Sequence, residues 1–260
     1  MGNFIEYLRE LDSYIVEGID IDYKNKKVKF NDTHDENVNT SVNLNPTYSK
    51  IKGIDVISIF KRIKNKESTD GSPLIHALKG NYGWSIDDES ILKLFKNFIK
   101  ISKKIKPEYD TIISIYSSSD LNNKFLYRLN NIIKCQNKIN DLFTKLTVTD
   151  IYEDGFDNNV FMGKNEGDWE LFDRSLQKMK AKGDYFTYKE LPTNLRKYIK
   201  KSSKIINNDI LTYSDMINGK DILILDDTIS SGKSISDNIE VINSTFTPKS
   251  ITVVTLFSAL

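Results

Sequence analysis

The sequence predicts an α/β fold in which a central, mostly parallel sheet is flanked by helices. Three short runs of apolar or β-branched residues carry this prediction, and they are Asp110 to Tyr116, Ile222 to Leu225 and Ser250 to Phe257. Continuous runs of this length are typical of strands that are buried on both faces of a parallel sheet. The first two runs are each followed by a polar loop and an apolar-periodic helix, and this alternation indicates a parallel arrangement.

Helical and hairpin patterns precede these strands. An opening amphipathic helix is predicted from Phe4 to Ile15, and alternation from Ile19 to Phe30 across a lysine-rich turn predicts a hairpin. The clearest helix runs from Asp87 to Lys106, because apolar residues recur on one face, lysines lie opposite and Pro107 follows. Its apolar face consists of Ile91, Leu94, Phe95, Phe98 and Ile101.

The order of these patterns predicts two regions. Residues 1–106 are expected to form an N-terminal accessory region, and residues 107–260 a core that carries a long insert at about 142–218. The insert contains Trp169, several glycines and several tyrosines, and its alternation and periodicity are too regular for a simple linker.

Composition limits the functions that are open to the chain. It has 260 residues and a net charge of +1, so it can bury a core and has no polycationic field that would draw it to nucleic acid or an anionic membrane. Cys135 is the only cysteine, and His34 and His76 are the only histidines, which argues against disulfides, structural zinc and a His-based metal centre. Because no apolar run could span a bilayer and the N-terminus lacks a signal-peptide layout, we expect a cytoplasmic protein.

Most of the functional information lies in the stretch from Asp221 to Ser234, DILILDDTISSGKS. Its apolar strand leads into Asp226 and Asp227, and open α/β sheets bind ligands at the carboxyl ends of their strands. These two carboxylates can accept the O–H donors of a vicinal diol or hold a hydrated Mg²⁺ ion. The following loop offers hydroxyls, N–H groups and one cation at the N-terminus of a helix, which favours an anion. Its residues are Thr228, Ser230, Ser231, Gly232, Lys233 and Ser234.

Two other interpretations of this stretch stay open. Gly232, Lys233 and Ser234 match the end of the nucleotide-binding pattern GxxxxGK[ST], which favours a P-loop phosphotransferase. The position of the first glycine in that pattern is Asp227, whose carboxylate would repel nucleotide phosphates. The stretch is also compatible with a simple strand, turn and capped helix, since Asp and Ser are common at turns and N-caps.

The stretch resembles the signature of the type I phosphoribosyltransferases. That signature is an apolar strand, two acidic residues, two variable positions and a loop of Thr or Ser residues around a glycine that ends in Thr or Ser, and ILILDDTISSGKS fits it. Lys233 stands where family members often have a small residue. The resemblance implies binding of 5-phosphoribosyl-1-pyrophosphate (PRPP), with Asp226 and Asp227 on the ribose hydroxyls. It also implies that Thr228 and the loop from Ser230 to Ser234 hold the 5-phosphate.

A second polar loop follows the strand at Asp110 to Tyr116. In the resembling family the loop after the first core strand contacts the pyrophosphate, and the counterpart here is Ser117, Ser118, Ser119 and Asp120. Serine hydroxyls and backbone N–H groups can donate to pyrophosphate oxygens. Ser119 or Asp120 could equally be the N-cap of the next helix, so both interpretations stay open.

The resemblance implies a magnesium-dependent pentosyltransferase of nucleotide metabolism. Such an enzyme moves the 5-phosphoribosyl group to a nitrogenous base or amine and releases pyrophosphate. Asp226 and Asp227 would be its catalytic residues and would hold Mg²⁺ directly or through water. The expected partners are PRPP and a nucleobase-like small molecule, and a homodimer is a further possibility. An alternative from another class is a non-catalytic regulator that senses PRPP or a nucleotide on the same fold.

The resemblance also implies a variable hood that sets base specificity and a flexible loop that closes over the substrates. The hood would come from residues 1–106, from the insert, or from both. Cations suited to the closing loop occur in the insert, where they could equally form the solvated face of a helix. They are Arg174, Lys178, Lys180 and Lys182.

Overall fold

The structure is a computed structural model, and it describes residues 16–63, 71–106, 108–115, 120–156, 166–206, 210–229 and 231–258. The opening helix predicted from Phe4 to Ile15 lies outside the described residues.

Strands and helices alternate along most of the described chain. The strands are β1 (Gly18–Asp22), β2 (Lys27–Asn31), β3 (Val38–Asn39), β4 (Thr47–Ile51), β5 (Ile54–Arg62), β6 (Ser85–Ile86), β7 (Glu108–Ser114), β8 (Lys134–Ile139), β9 (Phe143–Lys145), β10 (Ser203–Ile205), β11 (Asp221–Ile229) and β12 (Ser250–Ser258). The helices are α1 (Ser72–Lys79), α2 (Asp88–Ser102), α3 (Leu121–Asn130), α4 (Glu166–Ala181), α5 (Ile210–Ile217) and α6 (Lys233–Thr245). Shorter helical turns occupy Val148–Asp150, Ile151–Gly155, Tyr188–Glu190 and Thr193–Tyr198.

A mixed seven-stranded sheet forms the centre of the molecule. Five parallel strands lie in the order β5, β12, β11, β7, β8, and the short strands β3 and β4 pair antiparallel with β5 at one edge. The predicted α/β class is therefore confirmed, with a sheet that is mixed. Because β5 belongs to the region before residue 106 and pairs with β12, the sheet extends across the predicted boundary between accessory region and core.

Each face of the sheet has its own hydrophobic core, as expected when strands are buried on both sides. Alternate residues of β11 point to opposite faces, so Leu223 and Leu225 pack in one cluster with α1, α2 and α3. Ile222 and Ile224 pack in the other cluster with α5 and α6. The strand predicted from its apolar run is thus covered on both sides by helices.

The N-terminal region adds a second, smaller sheet to the first of these cores. β1 and β2 form the predicted hairpin, with Ile19 opposite Phe30, and β6 pairs with β2. The predicted helix at Asp87 is confirmed as α2, which ends at Ser102 and not at the predicted Lys106. The Asp87 side chain accepts a hydrogen bond from the backbone N–H of Ser90 at its start. Ile91, which the periodicity places on the apolar face, is 40% exposed.

The insert folds around a third hydrophobic cluster of its own. Phe172 and Leu176 of α4 are fully buried there with Tyr198 and residues of the short helical turns. β9 and β10 pair antiparallel and connect this lobe to the central sheet region. The prediction that the insert is more than a linker is confirmed.

Candidate functional site

The candidate site lies where two neighbouring parallel strands, β7 and β11, send their helices to opposite faces of the sheet. α3, which follows β7, belongs to the core cluster of Leu223 and Leu225. α6, which follows β11, belongs to the cluster of Ile222 and Ile224. A crevice opens at the carboxyl ends of strands that diverge in this way, and α/β proteins bind ligands in such crevices.

β11 is longer than the apolar run from Ile222 to Leu225 that predicts it, and it extends to Ile229. Its pairing with β7 ends at Leu225, opposite Ser114, whereas its pairing with β12 continues to Ile229, opposite Ser258. The prediction that the loop begins at Thr228 is therefore wrong, because Thr228 and Ile229 still belong to the strand. Both aspartates lie within the strand, and Asp226 lies opposite Thr255 of β12. The pairing of β11 with β7 ends one residue before them.

A cavity of about 270 Å³ opens at this crevice. It brings together both aspartates and every residue of the predicted phosphate loop that the structure describes. These residues are Asp226, Asp227, Thr228, Ser231, Gly232, Lys233 and Ser234. Ser230 lies outside the described residues. Further walls come from Lys79 of α1, from Ile115 after β7 and from the insert.

Lys79 supplies a cation that the sequence pattern did not single out. Its Nζ atom lies 2.5 Å from Oδ2 of Asp227, and the two side chains are only 12% and 6% exposed. Lys79 is the last residue of α1, and Gly80 follows it in a left-handed conformation that ends the helix. The packing of α1 against the sheet delivers this lysine to the aspartates, and the sequence contains no local signal that marks it among the other lysines.

Asp226 has a shifted protonation equilibrium. Its Oδ1 atom accepts a hydrogen bond of 2.8 Å from the backbone N–H of Asp227. Burial, and after it the repulsion from the neighbouring Asp227 carboxylate, raises the pKa of Asp226 to about 7. The residue nevertheless keeps partial exposure to solvent. A ligand that brings hydroxyl donors or a cation to Asp226 would therefore favour its ionised form.

Gly232 shapes the loop between β11 and α6. Its φ angle of +73° lies in the left-handed region, and an added Cβ atom would lie 2.5 Å from Cδ1 of Ile51. Glycine is the residue suited to such a conformation at such a close approach. Because the N-cap of α6 is this glycine, no side chain caps the helix, and its first residues, Lys233, Ser234 and Ile235, line the cavity. An uncapped helix N-terminus favours an anion.

Lys233 is held by the helix on which it lies. Its Nζ atom lies 2.6 Å from Oδ1 of Asp237, whose side chain is fully buried, while the lysine side chain is 31% exposed. The structure places its ammonium group at the wall of the cavity, paired with a carboxylate.

The insert contributes a wall that carries two more cations. Lys145 of β9 and Arg196 line the cavity together with Tyr188. The Nε–H group of Arg196 donates a hydrogen bond of 3.0 Å to the carbonyl oxygen of Leu191. Its two terminal nitrogens have no hydrogen-bond or ion-pair partner in the described part of the chain. Arg196 thus presents an oriented guanidinium group to the cavity.

The cations suggested for a closing loop lie elsewhere. Arg174, Lys178 and Lys180 are exposed on α4, and Lys182 pairs with Glu190 at 3.0 Å. These four residues do not line the cavity. The solvated-face interpretation therefore fits them, and Lys145 and Arg196 are the cations that the insert brings to the site.

The predicted pyrophosphate loop is described only at its end. Ser117, Ser118 and Ser119 lie outside the described residues. Asp120 is the N-cap residue of α3, makes no side-chain capping bond and lies 3.3 Å from Nζ of Lys124. It does not line the cavity, which β7 reaches through Ile115.

The chemistry of the two aspartates fits a Mg²⁺ ion that is shared with a phosphorylated ligand. Mg²⁺ is usually bound by one or two carboxylates together with substrate phosphates, and it keeps several waters. Asp226 is partly exposed and its raised pKa means that a nearby cation would stabilise its charge, whereas Asp227 already has Lys79 beside it. Asp226 is therefore the residue that would hold the ion, directly or through water.

Fold and site together define an α/β protein whose central mixed sheet carries a polar cleft at the carboxyl end of its parallel strands. Compared with models of known protein families and with curated proteins, the sequence matches none of them. In the described ranges, no helix is both long and apolar enough to cross a membrane.

Proposed function

We propose that the protein is a type I phosphoribosyltransferase that binds PRPP in this cleft and transfers its 5-phosphoribosyl group to the nitrogen of a base or amine. The observation that carries the proposal is that one cavity combines the aspartate pair of β11 with the uncapped N-terminus of α6. A diol acceptor beside an anion site is complementary to ribose 5-phosphate, which has vicinal hydroxyls and a phosphate on one small ring.

Each part of the ligand has a candidate binding group. The ribose hydroxyls donate to Asp226, whose carboxylate also accepts a hydrogen bond from the backbone N–H of Asp227. The 5-phosphate binds at Thr228 and at residues 231–234, where hydroxyls, backbone N–H groups and the helix dipole favour an anion.

The charges that line the cavity support a ligand with several anionic groups. Among the described residues, four cationic side chains and two carboxylates line the cavity, and the buried Asp237 behind the wall pairs with one of the four cations, Lys233. The cations are Lys79, Lys145, Arg196 and Lys233, and the carboxylates are Asp226 and Asp227. PRPP carries a phosphate and a pyrophosphate, so this excess of positive charge favours it over an uncharged nucleoside.

In the proposed reaction the bond between the anomeric carbon and the pyrophosphate oxygen breaks, and the oxygen keeps the electron pair. The lone pair of the acceptor nitrogen forms the new C–N bond, and the nitrogen loses its proton to water. The side chains of the site hold the two reactants in line and stabilise the positive charge that develops on the ribose ring. A bound Mg²⁺ ion would supply charge neutralisation for the departing pyrophosphate.

A non-catalytic sensor of PRPP or a nucleotide is the second candidate. It is favoured by the pairing of Asp227 with Lys79 and of Lys233 with Asp237, because these charges are already neutralised within the protein. A P-loop phosphotransferase is a weaker candidate. The lysine of a P-loop has to reach nucleotide phosphates, whereas Lys233 is paired with Asp237.

Pyrophosphate release from magnesium–PRPP tests the proposal. The purified protein is assayed alone and with pools of purine, pyrimidine and pyridine bases and a small-molecule cell extract. Release that depends on one added fraction supports a transferase and begins to identify its acceptor. Saturable PRPP binding without release supports the sensor, and binding of ATP in place of PRPP supports the P-loop alternative.

Asp226→Asn is the variant that tests the site. The single replacement is preferred because Asp227 is buried and paired with Lys79, so that replacing both aspartates would also affect stability. Asp226→Asn is expected to weaken PRPP binding by at least about tenfold, because a charge-assisted bond to the ribose is lost. Unchanged affinity of the folded variant in calorimetric titration would overturn the assignment.

A further inference from the structure

Asp237 is a fully buried carboxylate that joins the phosphate loop to the insert. Its Oδ1 atom lies 2.6 Å from Nζ of Lys233 on α6. Its Oδ2 atom accepts hydrogen bonds from the hydroxyl of Tyr188, at 2.5 Å, and from the hydroxyl of Ser202, at 3.0 Å. All three donors line the cavity, whereas Asp237 itself lies behind them. One buried charge therefore organises groups from two separate parts of the site.

Asn238, the next residue of α6, makes a second connection between this helix and the insert. The hydroxyl of Ser203 donates to Oδ1 of Asn238 at 2.8 Å, and Nδ2 of Asn238 donates to the carbonyl oxygen of Ser234 at 2.8 Å. Ser203 and Asn238 are both buried. Two consecutive residues of the helix thus hold two consecutive residues of the insert, and the same residues reach back to the phosphate loop.

A bound phosphate would change how the charge of Asp237 is shared. In the structure Lys233 neutralises much of that charge. A phosphate at the N-terminus of α6 attracts the same ammonium group, so Lys233 neutralises less of the negative charge of Asp237. Its hydrogen bonds from Tyr188 and Ser202 then become more strongly charge-assisted, and such bonds are about twice as strong as neutral ones. Burial and the charge of Asp237 raise the pKa of Tyr188, which therefore remains a donor.

We propose that Asp237 is a positioning residue that couples phosphate binding at Lys233 to the strength with which α6 holds Tyr188 and Ser202 of the insert. The inference has two parts. The coupling, in which a bound phosphate strengthens these hydrogen bonds, rests on the proposed function, because it requires a phosphorylated ligand in the loop. The tether, by which we mean the hydrogen bonds that hold the insert to α6 without a ligand, does not depend on that function.

Hydrogen–deuterium exchange of the full chain, read in peptides that cover residues 143–146 and 202–206, tests both parts with ribose 5-phosphate as the probe. In the wild type, saturating probe is expected to slow exchange in these peptides by about fivefold, the effect of strengthening one hydrogen bond. Asp237→Asn keeps an acceptor oxygen but removes the charge. It is expected to bind the probe with an affinity within about threefold of the wild type and to lose the protection.

Glu240→Gln is the matched control. It removes a carboxylate from the same helix at an exposed position that pairs with Lys52. The control is expected to keep the protection. If Asp237→Asn does not fold, Tyr188→Phe removes one donor and leaves the pair with Lys233 intact, and its protection is expected to fall below that of the wild type.

Protection in Asp237→Asn equal to that of the wild type would overturn the coupling. If the wild type does not bind ribose 5-phosphate at all, the proposed function fails. The tether is then decided by exchange without ligand, which should be faster in Asp237→Asn than in Glu240→Gln. Equal rates in these two variants would overturn the tether as well.

Discussion

Lys79 and Asp227 form a buried ion pair of 2.5 Å between the end of α1 and the carboxyl end of β11. The pair joins the region before residue 106 to β11, and it lies next to the partly exposed Asp226. Two adjacent carboxylates repel each other, so a site built on them needs a cation close to one of the two. Lys79 meets this need at Asp227 and leaves Asp226 as the more exposed of the two carboxylates that line the cavity.

Lys79→Met is expected to lower the free energy of unfolding by about 3 kcal/mol, because a buried carboxylate loses its ammonium partner. PRPP affinity should fall in the same variant, since the repulsion between the two aspartates increases. Urea unfolding at pH 7 and calorimetric titration measure the two effects.

Lys52→Met is the control for the loss of a lysine. Lys52 pairs with Glu240 across exposed side chains, and such pairs contribute about 1 kcal/mol or less. If Lys79→Met is no more destabilising than Lys52→Met, the buried pair is not a determinant of stability.

The raised pKa of Asp226 predicts a dependence of stability on pH. Burial and the neighbouring carboxylate raise this pKa from 3.8 to about 7, so between these values the folded protein binds more protons at Asp226 than the unfolded chain does. The stability contributed by this group is therefore fully present below about pH 4 and is lost as the pH rises through about 7.

Comparison of the wild type with Asp226→Asn isolates this group from the other carboxylates. The wild type should lose at least about 1 kcal/mol relative to the variant between pH 5 and pH 8. Urea midpoints at the two pH values provide the measurement. A difference between the two proteins that is constant with pH would show that Asp226 has an ordinary pKa in the folded state.

Gly232→Ala is expected to destabilise the protein by about 2 kcal/mol or more, because it combines a left-handed φ with a clash against Ile51. Ligand binding should also weaken, since the loop at the N-terminus of α6 has to move. Thermal unfolding and PRPP titration measure both changes.

Gly219→Ala separates the cost of the left-handed φ from the cost of the clash. Gly219 has a φ of +68°, but an added Cβ would meet no atom within 4 Å. The control therefore carries the conformational cost, about 1 kcal/mol, without the clash. Equal destabilisation in the two variants would mean that the contact with Ile51 relaxes freely.

The elements that the sequence predicted correctly have strong local signals. The run from Ile222 to Leu225 and the β-branched run before Phe257 are continuous because both faces of the sheet are buried. The apolar face of α2 instead recurs with the helical period. Among the described residues of the predicted loop, Thr228 and residues 231–234 line one cavity, because they are nearly contiguous and the strand and helix around them fix their place.

The rest of the site depends on contacts between distant segments. Lys79 and Arg196 reach the cavity from parts of the chain that are far from β11 in sequence, and their local sequence resembles that of any exposed basic residue. The continuation of β11 to Ile229 depends on its ladder to β12, whereas polar residues such as Asp and Thr suggest a loop when they are read locally. Tertiary packing decides these features, so a pattern of single residues cannot reveal them.

Arg196→Gln tests whether the wall from the insert recognises an anionic group of the substrate. The Nε–H group of Arg196 is fixed on Leu191, so the terminal nitrogens are oriented before a ligand binds, and an arginine fork binds oxyanions well. If it contacts the pyrophosphate, the variant should lose about tenfold in affinity for PRPP and keep its affinity for ribose 5-phosphate, which lacks that group. If it contacts the acceptor, both affinities stay unchanged and the KM for the acceptor rises. Lys197→Gln, an exposed cation at the next position, is the control, and a variant of Arg196 that matches it in all three measurements would exclude Arg196 from the site.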